Sequence, residues 1–306
     1  MRIFIAGATG VIGCRVIPLL LSAGYRVSAV GRTSEKCAAL ERMGAVARQV
    51  DLFDGDRVRQ VVVGHDVVIN LATHIPTFSR IFLPGAWREN DRIRRTVSVN
   101  LAEAAKAGGA RRFIQESFAP VYPDCGDGWV EESTPLQPVR YNRSILDAEA
   151  AVARFVAGGG TGVILRFAFF YGADSAFTRD AFRYVRRGWA PVFGSTTAFM
   201  SSVSHDDAAS AVIAALQAGP GVYNVVDDEP VRRRKYAGLL ASALDVAPPK
   251  FPPAFLAKIV GSLGEMLGRS IRISNRKLCM ETGWKPMYPS VREGWRAVAE
   301  ELRRMK

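Results

Sequence analysis

The chain opens with a short apolar segment, three spaced glycines and a second apolar segment, and this opening limits the fold more than any other stretch. Residues 2–6 predict a β-strand, and Gly7, Gly10 and Gly13 follow it directly. A helix is expected to begin near Val11, with apolar residues at the spacing of one helix face. Glycine suits such a turn because the chain bends sharply, brings its backbone amides against a pyrophosphate and packs the next helix on the sheet. The opening therefore predicts a dinucleotide-binding turn.

The predicted turn also supplies most of the expected cofactor contacts. The start of the helix offers unpaired amides and a partial positive charge, which together form an anion site. A glycine triplet alone is weak evidence, but this one follows a strand and precedes a helix, and that context makes the motif specific. The contacts predicted in the turn are those of Gly7, Thr9, Gly10, Val11, Ile12 and Gly13.

Composition places the chain among globular proteins. Its 306 residues, 48% of them hydrophobic, suit one large domain or two small ones. The sequence shows no signal pattern at its start and no apolar run of about 18 residues, so a cytoplasmic protein without a membrane partner is expected. The four cysteines stand far apart and only three histidines occur, so neither a disulfide framework nor a metal site is predicted.

The net charge of +12 is the one unusual bulk property. Basic residues gather within 183–187, 232–235 and 269–277, and such a face can attract nucleic acid or an acidic membrane surface. No aromatic-basic RNA motif or recognition-helix pattern accompanies them, so no nucleic-acid partner is predicted. A solvated surface that also attracts an anionic cofactor or substrate is the favoured interpretation, with a charged partner as the alternative.

Strand and helix patterns alternate along the chain. Strands are predicted at 27–30, 46–50, 67–72, 113–116, 163–167 and 223–226, and helices at 34–43, 54–62, 89–108, 140–157, 176–187, 205–217, 231–244, 253–268 and 290–304. This alternation predicts an α/β fold, a Rossmann-type doubly wound parallel sheet with a smaller, mainly helical C-terminal subdomain that caps the substrate. The expected division is a sheet domain of 1–170 and 198–228, and a capping subdomain of 171–197 and 229–306.

Several further segments carry a family resemblance. They are GATGVIG (7–13), Asp51-Leu52, NLA (70–72), SVNLAEAAKAGG with Asn100, ESFAPVY (116–122), YNRSILDAE from Tyr141, LRFAFFYG (165–172), SHDDAA (204–209), YNVVDDEP (223–230) and GWKP (283–286). In this order, and over nearly the whole chain, they resemble the extended short-chain dehydrogenase/reductase superfamily, in particular its NAD(P)-dependent epimerase/dehydratase-like branch.

The resemblance implies a nicotinamide cofactor and where it lies. Its adenine is expected near Asp51 and Leu52, its pyrophosphate on the glycine turn, and its ribose beside Leu71 and Ala72 at the end of the fourth strand. The family analogy also suggests a homodimer through the helices near 89–108 and 140–157.

The residues after the second strand bear on which nicotinamide cofactor binds. An acid there would accept a hydrogen bond from the ribose 2′-hydroxyl of NAD, but Gly31 is followed by Arg32, with Lys36 one turn later. A guanidinium suits a 2′-phosphate, so NADP is favoured over NAD. The alternative is that Arg32 is an ordinary surface residue.

The catalytic centre is where the chain departs from the family. The resemblance implies a catalytic tyrosine at Tyr141, with a lysine four residues later that holds the ribose and lowers the pKa of the tyrosine. That position holds Ile145, and none of the eight tyrosines has lysine at this spacing. Without a cationic neighbour, the pKa of Tyr141 is expected near the ordinary phenol value of about 10. Tyr141 would then serve as a proton donor.

Three other residues are weighed for catalytic roles. The serine or threonine of the family falls on Phe118, and Ser117 precedes it. Adjacent strand residues point to opposite faces, so Ser117 reaches the site only if the strand end bulges. His74 is the candidate replacement acid or base, against a structural histidine bonded to the backbone. His205 stands before two aspartates and is expected to belong to a helix cap.

The expected substrate pocket is apolar. Family members that bind a sugar nucleotide have an asparagine and an arginine where this chain has Phe169 and Met200. An apolar pocket favours an aromatic, polyketide or terpenoid-like carbonyl substrate. The alternative is that half of these aromatic side chains pack the core between sheet and cap. The predicted lining is Phe118, Phe169, Phe170, Trp189 and Met200, with Phe193, Phe199, Ile75 and Phe78 as further members.

Three functions remain open. The first is an NAD(P)(H)-dependent oxidoreductase acting on an apolar carbonyl-containing small molecule, with Tyr141 as proton donor helped by Ser117 or His74. The second is a catalytically silent NAD(P)H-binding sensor or assembly protein, suggested by Ile145 and Phe118. The third is a nucleotide-sugar epimerase or dehydratase, which the apolar pocket disfavours.

Overall fold

The computed structural model describes residues 1–76, 81, 83, 85–192, 194–253 and 261–304. Its strands, in chain order, are β1 (Arg2–Ala6), β2 (Arg26–Gly31), β3 (Val46–Gln49), β4 (Val67–Asn70), β5 (Arg112–Phe118), β6 (Trp129–Val130), β7 (Thr161–Phe167), β8 (Phe169–Tyr171), β9 (Phe199–Met200), β10 (Ser202–Ser204), β11 (Gly221–Val225), β12 (Val231–Arg232) and β13 (Arg272–Ile273).

Helices follow most of these strands. In chain order they are α1 (Gly13–Ser22), α2 (Ser34–Arg42), α3 (Gly55–Val62), α4 (Arg88–Arg92), α5 (Ser98–Ala107), α6 (Ile145–Val156), α7 (Ala176–Arg186), α8 (His205–Ala214), α9 (Arg233–Ala243), α10 (Gly261–Gly268), α11 (Arg276–Thr282) and α12 (Val291–Arg304). A π-helix, Ile93–Val97, joins α4 to α5, and Ala119–Val121 and Arg140–Asn142 form 3₁₀ turns.

The central sheet has seven parallel strands in the spatial order β11-β7-β5-β4-β1-β2-β3. All four residues of β4 are buried because helices cover both faces of the sheet. The strand order reverses between β1 and β4, and a crevice at the carboxyl ends of such strands is where open α/β sheets bind ligands. The predicted doubly wound sheet is confirmed.

Alternate strand residues form two separate apolar clusters on the faces of the sheet. On one face, α1 and α8 pack through residues that include Val16 and Val212. On the other face, α3, α5 and α6 pack through residues that include Leu101 and Phe155.

A third cluster joins residues within 171–200 to residues within 231–302. Trp295 lies at its centre, with its ring centroid 4.8 Å from that of Tyr171 and 5.6 Å from that of Tyr236. This cluster is separate from the two that cover the sheet. A capping subdomain is expected to have such a core of its own. The division at 170/171, 197/198 and 228/229 stays a prediction.

Several boundaries differ from the sequence predictions for identifiable reasons. Helix α1 begins at Gly13 rather than near Val11, because the preceding turn holds a bond from the Gly10 amide to the Gly7 carbonyl. Helix α9 starts after β12, which pairs antiparallel with β9. Helix α11 has no counterpart among the predicted elements. A helix was also predicted at 253–268, but its residues 254–260 lie outside the described part of the chain. No helix in that described part is long and apolar enough to cross a membrane.

Candidate functional site

The turn between β1 and α1 leaves no room for side chains at two of its glycines. Gly7 has φ +78°, and a Cβ there would lie 2.3 Å from the backbone carbonyl of Leu71, just after β4. A Cβ on Gly13 would lie 2.3 Å from the Gly7 carbonyl oxygen. At Gly10 the same test gives 3.3 Å, so that position is less restricted. The turn is thus seated against the end of β4, and its close backbone packing fits a dinucleotide pyrophosphate.

The loops around this turn are held by side-chain amides. Asn100 donates a hydrogen bond of 3.0 Å to the Leu52 carbonyl and so fixes the loop after β3, where Asp51 also lies. Asn70, the last residue of β4, accepts one of 3.1 Å from the Ala72 amide. The residues predicted to contact adenine and ribose therefore stand on braced loops beside the turn. Thr9 and Val11 are exposed on the turn itself.

The predicted phosphate-binding residues lie at the start of α2. Arg32 is exposed immediately after β2, and Thr33 caps the helix by accepting a hydrogen bond of 3.4 Å from the Lys36 amide. Lys36 is half-buried one turn into the helix. Two cations at a helix N-terminus form a site for an anion such as a phosphate.

Tyr141 lies in the 3₁₀ turn before α6 and is packed among apolar side chains. Its ring meets the Trp87 ring edge-on, with centroids 4.4 Å apart. The same cluster contains Phe118 at the end of β5 and Phe169 at the start of β8, whose rings meet edge-on at 5.6 Å. Burial raises the pKa of Tyr141 far above its ordinary value, so the hydroxyl is neutral and carries a proton that it can donate. The expectation of an unperturbed phenol pKa is therefore wrong.

A buried arginine close to Tyr141 was not predicted from the sequence. Arg94, on the π-helix, is only 6% exposed, and its positive charge lowers the pKa of Tyr141 against the larger effect of burial. The expectation that Tyr141 has no cationic neighbour is also wrong. Ile145, which replaces the family lysine, is fully buried. The missed signal is a polar stripe at four-residue spacing on an otherwise apolar helix face, formed by Asn90, Arg94 and Ser98.

Arg94 faces the buried Glu116, and the buried Asn90 on α4 lies one turn before Arg94. Its Nη2 lies 3.9 Å from Oε1 of Glu116, which stands on β5 two residues before Phe118. Burial raises the pKa of Glu116, while the charge of Arg94 lowers it. Asn90 accepts a hydrogen bond of 2.9 Å from the His74 amide and so ties α4 to the loop after β4.

Ser117 does not face the Tyr141 cluster. Its hydroxyl donates a hydrogen bond of 2.6 Å to Oε1 of Glu149 on α6. Arg166 makes two further bonds to this carboxylate, of 2.8 Å and 2.7 Å. The β5–β7 register is unbroken through Phe118, so the bulge that Ser117 would need is missing. A role for Ser117 in binding the substrate oxygen is therefore not supported.

The two histidines that were considered for catalysis occupy different settings. His74 lies in the loop after β4 and its side chain is exposed. His205 is the first residue of α8, whose N-cap is Ser204, and its Nδ1 lies 2.7 Å from Oδ1 of Asp174. Arg15 also bonds Asp174, at 2.7 Å. Arg15 and His205 line a cavity of about 330 Å³ between α1, α8 and α12.

The structure divides the predicted aromatic pocket. Phe118 and Phe169 lie with Tyr141, and Phe169 also lines a narrow cleft with Phe199 and Met200. Phe170 instead packs on Phe167, with ring centroids 5.3 Å apart, in the cluster on the α1 face. Trp189 and Ile75 do not join the group. Trp189 is 47% exposed, Ile75 is half exposed at the surface, and Phe193 and Phe78 lie outside the described residues.

The turn, the strand order and the Tyr141 cluster define a Rossmann-type dinucleotide-binding protein with a half-buried tyrosine at the carboxyl edge of its sheet. A sequence model described as the NAD dependent epimerase/dehydratase family matches residues 3–225. The chain belongs to this family, as its sequence motifs implied.

Two relatives with curated names are reductases. The 3-diazoavenalumate denitrifying reductase of a Streptomyces species is 30% identical over 307 residues, which cover 96% of this chain and 99% of that protein. A ketoreductase of Stigmatella aurantiaca, named for 4-hydroxy-2-methyl-3-oxo-4-farnesyl-3,4-dihydroquinoline-1-oxide, is 29% identical over 294 residues, which cover 89% and 82% of the two chains.

Solved structures share the fold over the full chain. UDP-glucose 4-epimerase of Thermotoga maritima superposes with a TM-score of 0.81 at 20% identity, and the match covers 100% of this chain and 99% of that one. The human epimerase family protein SDR39U1, solved with NADPH, gives 0.79 at 19% identity and covers 99% and 100%.

Proposed function

We propose that this protein is an NADPH-dependent reductase that acts on an apolar, carbonyl-containing small molecule. The observation that carries the proposal is the neutral Tyr141 hydroxyl inside an aromatic cluster at the carboxyl end of β5. A proton donor in apolar surroundings suits a substrate whose oxygen becomes negatively charged during reduction.

The residues around the glycine turn would hold the cofactor. The backbone amides at 7–13 would hold its pyrophosphate, the loops at Asp51 and Ala72 would hold its adenine and ribose, and Arg32 with Lys36 would hold the 2′-phosphate. A bound nicotinamide supplies the hydride.

Tyr141 supplies the proton. As the carbonyl carbon gains a hydride, the electron pair of the carbonyl π-bond moves to the oxygen. The Tyr141 O–H bond then breaks and its proton joins that oxygen, which gives an alcohol and leaves a phenolate that water reprotonates. Phe118 and Phe169 exclude water from this transfer and favour an apolar substrate body. The ketoreductase relative supports this class of substrate.

Reduction of an aryl diazonium group is the second candidate, and the replacement of the family lysine by Ile145 is compatible with it. When a hydride replaces dinitrogen on carbon, a C–H bond forms with the hydride pair and the C–N bond pair leaves with dinitrogen. No proton is transferred, so neither a lysine nor an ionised tyrosine is needed. The Streptomyces relative, named a denitrifying reductase of a diazo compound, supports this alternative.

The first experiment titrates the purified protein with NADPH and NADH and then follows nicotinamide absorbance with hydrophobic ketones, enones and aryl diazonium compounds. The reductase proposal expects tighter binding of NADPH and its consumption with a ketone or an enone. Binding of NADPH without consumption across the panel would contradict it and favour a sensor. Binding of UDP-hexose would favour the epimerase reading.

Substitution of Tyr141 then separates the two reductase candidates. For a carbonyl substrate, Tyr141→Phe is expected to lower kcat by about 10²-fold or more and to leave the Kd for NADPH unchanged, because general acid catalysis contributes at this level. The control is Tyr25→Phe, since Tyr25 lies between α1 and β2, away from the site. Undiminished turnover of an aryl diazonium compound by Tyr141→Phe would support the second candidate.

A further inference from the structure

We infer that Arg94 is a positioning residue that stabilises the Tyr141 phenolate from the π-helix, in place of the lysine that Ile145 replaces. The effect of Arg94 on catalysis rests on the proposed function. The interaction itself is between the charge of Arg94 and the Tyr141 hydroxyl, within the protein. It can therefore be measured without cofactor or substrate.

The burial of Arg94 is the first observation. A guanidinium that is 6% exposed has lost most of its water, and such a charge persists only where other groups compensate it. Its acidic partner Glu116 lies at 3.9 Å, beyond the 2.7–3.2 Å of a direct hydrogen bond. The pair is thus looser than the Arg166–Glu149 pair, which is bonded at 2.7 Å.

The polar group around Arg94 is also incompletely bonded. Within the described part of the chain, Oε2 of Glu116 and Nδ2 of Asn90 are buried without a hydrogen-bond partner. A buried polar atom without a partner destabilises the fold, so these two atoms require an explanation such as a functional role or a bound water. Asn90 stands one turn before Arg94 and holds the His74 amide, so this group borders the loop that follows β4.

The neighbouring arginine shows what is particular about Arg94. Arg95 is adjacent on the same π-helix, but its side chain is 61% exposed and pairs with Asp147 at 3.0 Å. The structure thus points one of two consecutive arginines into the protein and the other to solvent. π-helices are rare and frequently occur at functional sites.

The charges that act on Tyr141 come from α4 and the π-helix, which directly follow Trp87, whose ring centroid lies 4.4 Å from that of Tyr141. Arg94 lowers the pKa of Tyr141, whereas Asp91, which accepts a hydrogen bond of 2.6 Å from Ser144, raises it, and burial raises it most. When the Tyr141 proton leaves, the negative charge stays on Oη in partly buried, apolar surroundings that solvate it less well than bulk water. A fixed cation such as Arg94 is then the group that stabilises the phenolate. Arginine suits this because it stays protonated when buried.

The test replaces Tyr141 site-specifically by 3-nitrotyrosine, whose phenolate absorbs visible light and titrates at accessible pH. Its pKa is measured by absorbance in the cofactor-free protein, first with Arg94 intact and then in Arg94→Met. The inference expects Arg94→Met to raise this pKa by about 1 unit or more, as for loss of an opposite charge nearby. Arg94→Lys retains the charge and is expected to raise it by less.

The matched control is Arg95→Met, which removes the same charge from the exposed side of the π-helix and is expected to leave the pKa unchanged. Because Arg94→Met leaves Glu116 buried without its cation, the double variant Arg94→Met/Glu116→Gln removes both charges and keeps the test valid if the single variant is unstable. A pKa in both Arg94→Met backgrounds equal to that in Arg95→Met would overturn the inference.

Activity then separates this inference from the proposed function. With a carbonyl substrate in hand, Arg94→Met is expected to lower kcat by about 10-fold, which corresponds to one pKa unit, while the Kd for NADPH stays within about twofold. A shifted titration in a protein without reductase activity would refute the proposed function alone. An unchanged titration in an active enzyme would refute the role of Arg94 alone.

Discussion

The hydroxyl of Ser117 donates a 2.6 Å hydrogen bond to Oε1 of Glu149, while the next residue, Phe118, packs in the cluster of Tyr141. Consecutive residues of β5 therefore serve different purposes. The first belongs to a buried ion-pair network that joins β5, α6 and β7, and the second belongs to the candidate site. Because the strand is regular up to its last residue, the two roles are kept on opposite faces.

The network beneath β5 leads to a prediction about stability. Glu149→Ala leaves Arg166 buried without its carboxylate, and this is expected to lower the free energy of unfolding by about 3–5 kcal/mol. Asp147→Ala, two residues earlier on α6, breaks only the exposed pair with Arg95 and is expected to cost less than about 1 kcal/mol. Urea unfolding measures both, and similar losses would contradict the structural role of the buried pair.

Alanine substitutions at Gly7 and Gly24 can separate the cost of backbone strain from the cost of crowding. Gly24 also has φ +78°, but a Cβ there meets no atom within 4 Å, so Gly24→Ala is expected to cost only the left-handed strain of about 1–2 kcal/mol. Gly7→Ala adds an overlap with Leu71 and is expected to lose more stability and most NADPH binding. Urea unfolding and cofactor fluorescence titration test both variants. Equal losses would mean that the approach of Leu71 does not restrict position 7.

Cofactor preference is tested at the two ends of β2. Arg32→Glu removes the cation offered to a 2′-phosphate and is expected to raise the Kd for NADPH by about 10- to 100-fold, as the loss of one or two charged hydrogen bonds does. The Kd for NADH is expected to change little. Arg26→Glu alters the same charge at the opposite end of the strand and serves as the control. Parallel weakening of both cofactors by Arg32→Glu would contradict a phosphate-specific role.

The buried Asp227 is expected to make the stability of the protein depend on pH. Burial raises the pKa of Asp227 well above its ordinary value of 3.8, and the neighbouring Asp228, Asp207 and Glu229 raise it further. The folded protein therefore holds a proton that the unfolded chain releases, so this group makes the protein less stable as pH rises above about 4. Asp227→Asn keeps the shape without the titration.

Urea unfolding of wild type and Asp227→Asn across pH 4–8 measures this effect. The two proteins are expected to have similar stability near pH 4, and the variant is expected to gain by about 1.4 kcal/mol for each unit of the pKa shift as pH increases. Asp206→Asn, at an exposed neighbouring acid, is the control. A difference between wild type and Asp227→Asn that does not change with pH would contradict the prediction.

Much of the fold could be predicted from local patterns in the sequence. Strand and helix alternation, the glycine turn and the motifs around Tyr141 all depend on residues within a few positions of one another. The apolar strands predicted a parallel sheet because only a sheet covered on both faces buries every residue of segments such as VVIN at 67–70. The antiparallel β9–β12 pair was missed because a pairing between two-residue segments leaves no periodic signal.

The candidate site was predicted only in part, because it depends on contacts between residues far apart in the sequence. The sequence by itself determined that Tyr141 follows the family motif, that Ile145 removes its lysine and that glycine occupies the crowded turn. Only the tertiary structure decided that Arg94 is buried near Tyr141 beside Glu116, that Ser117 faces Glu149, and that Phe170 and Trp189 lie outside the aromatic cluster. A charge, a hydroxyl or an aromatic ring takes its pKa and its role from the groups that surround it, and those groups come from elements far apart along the chain.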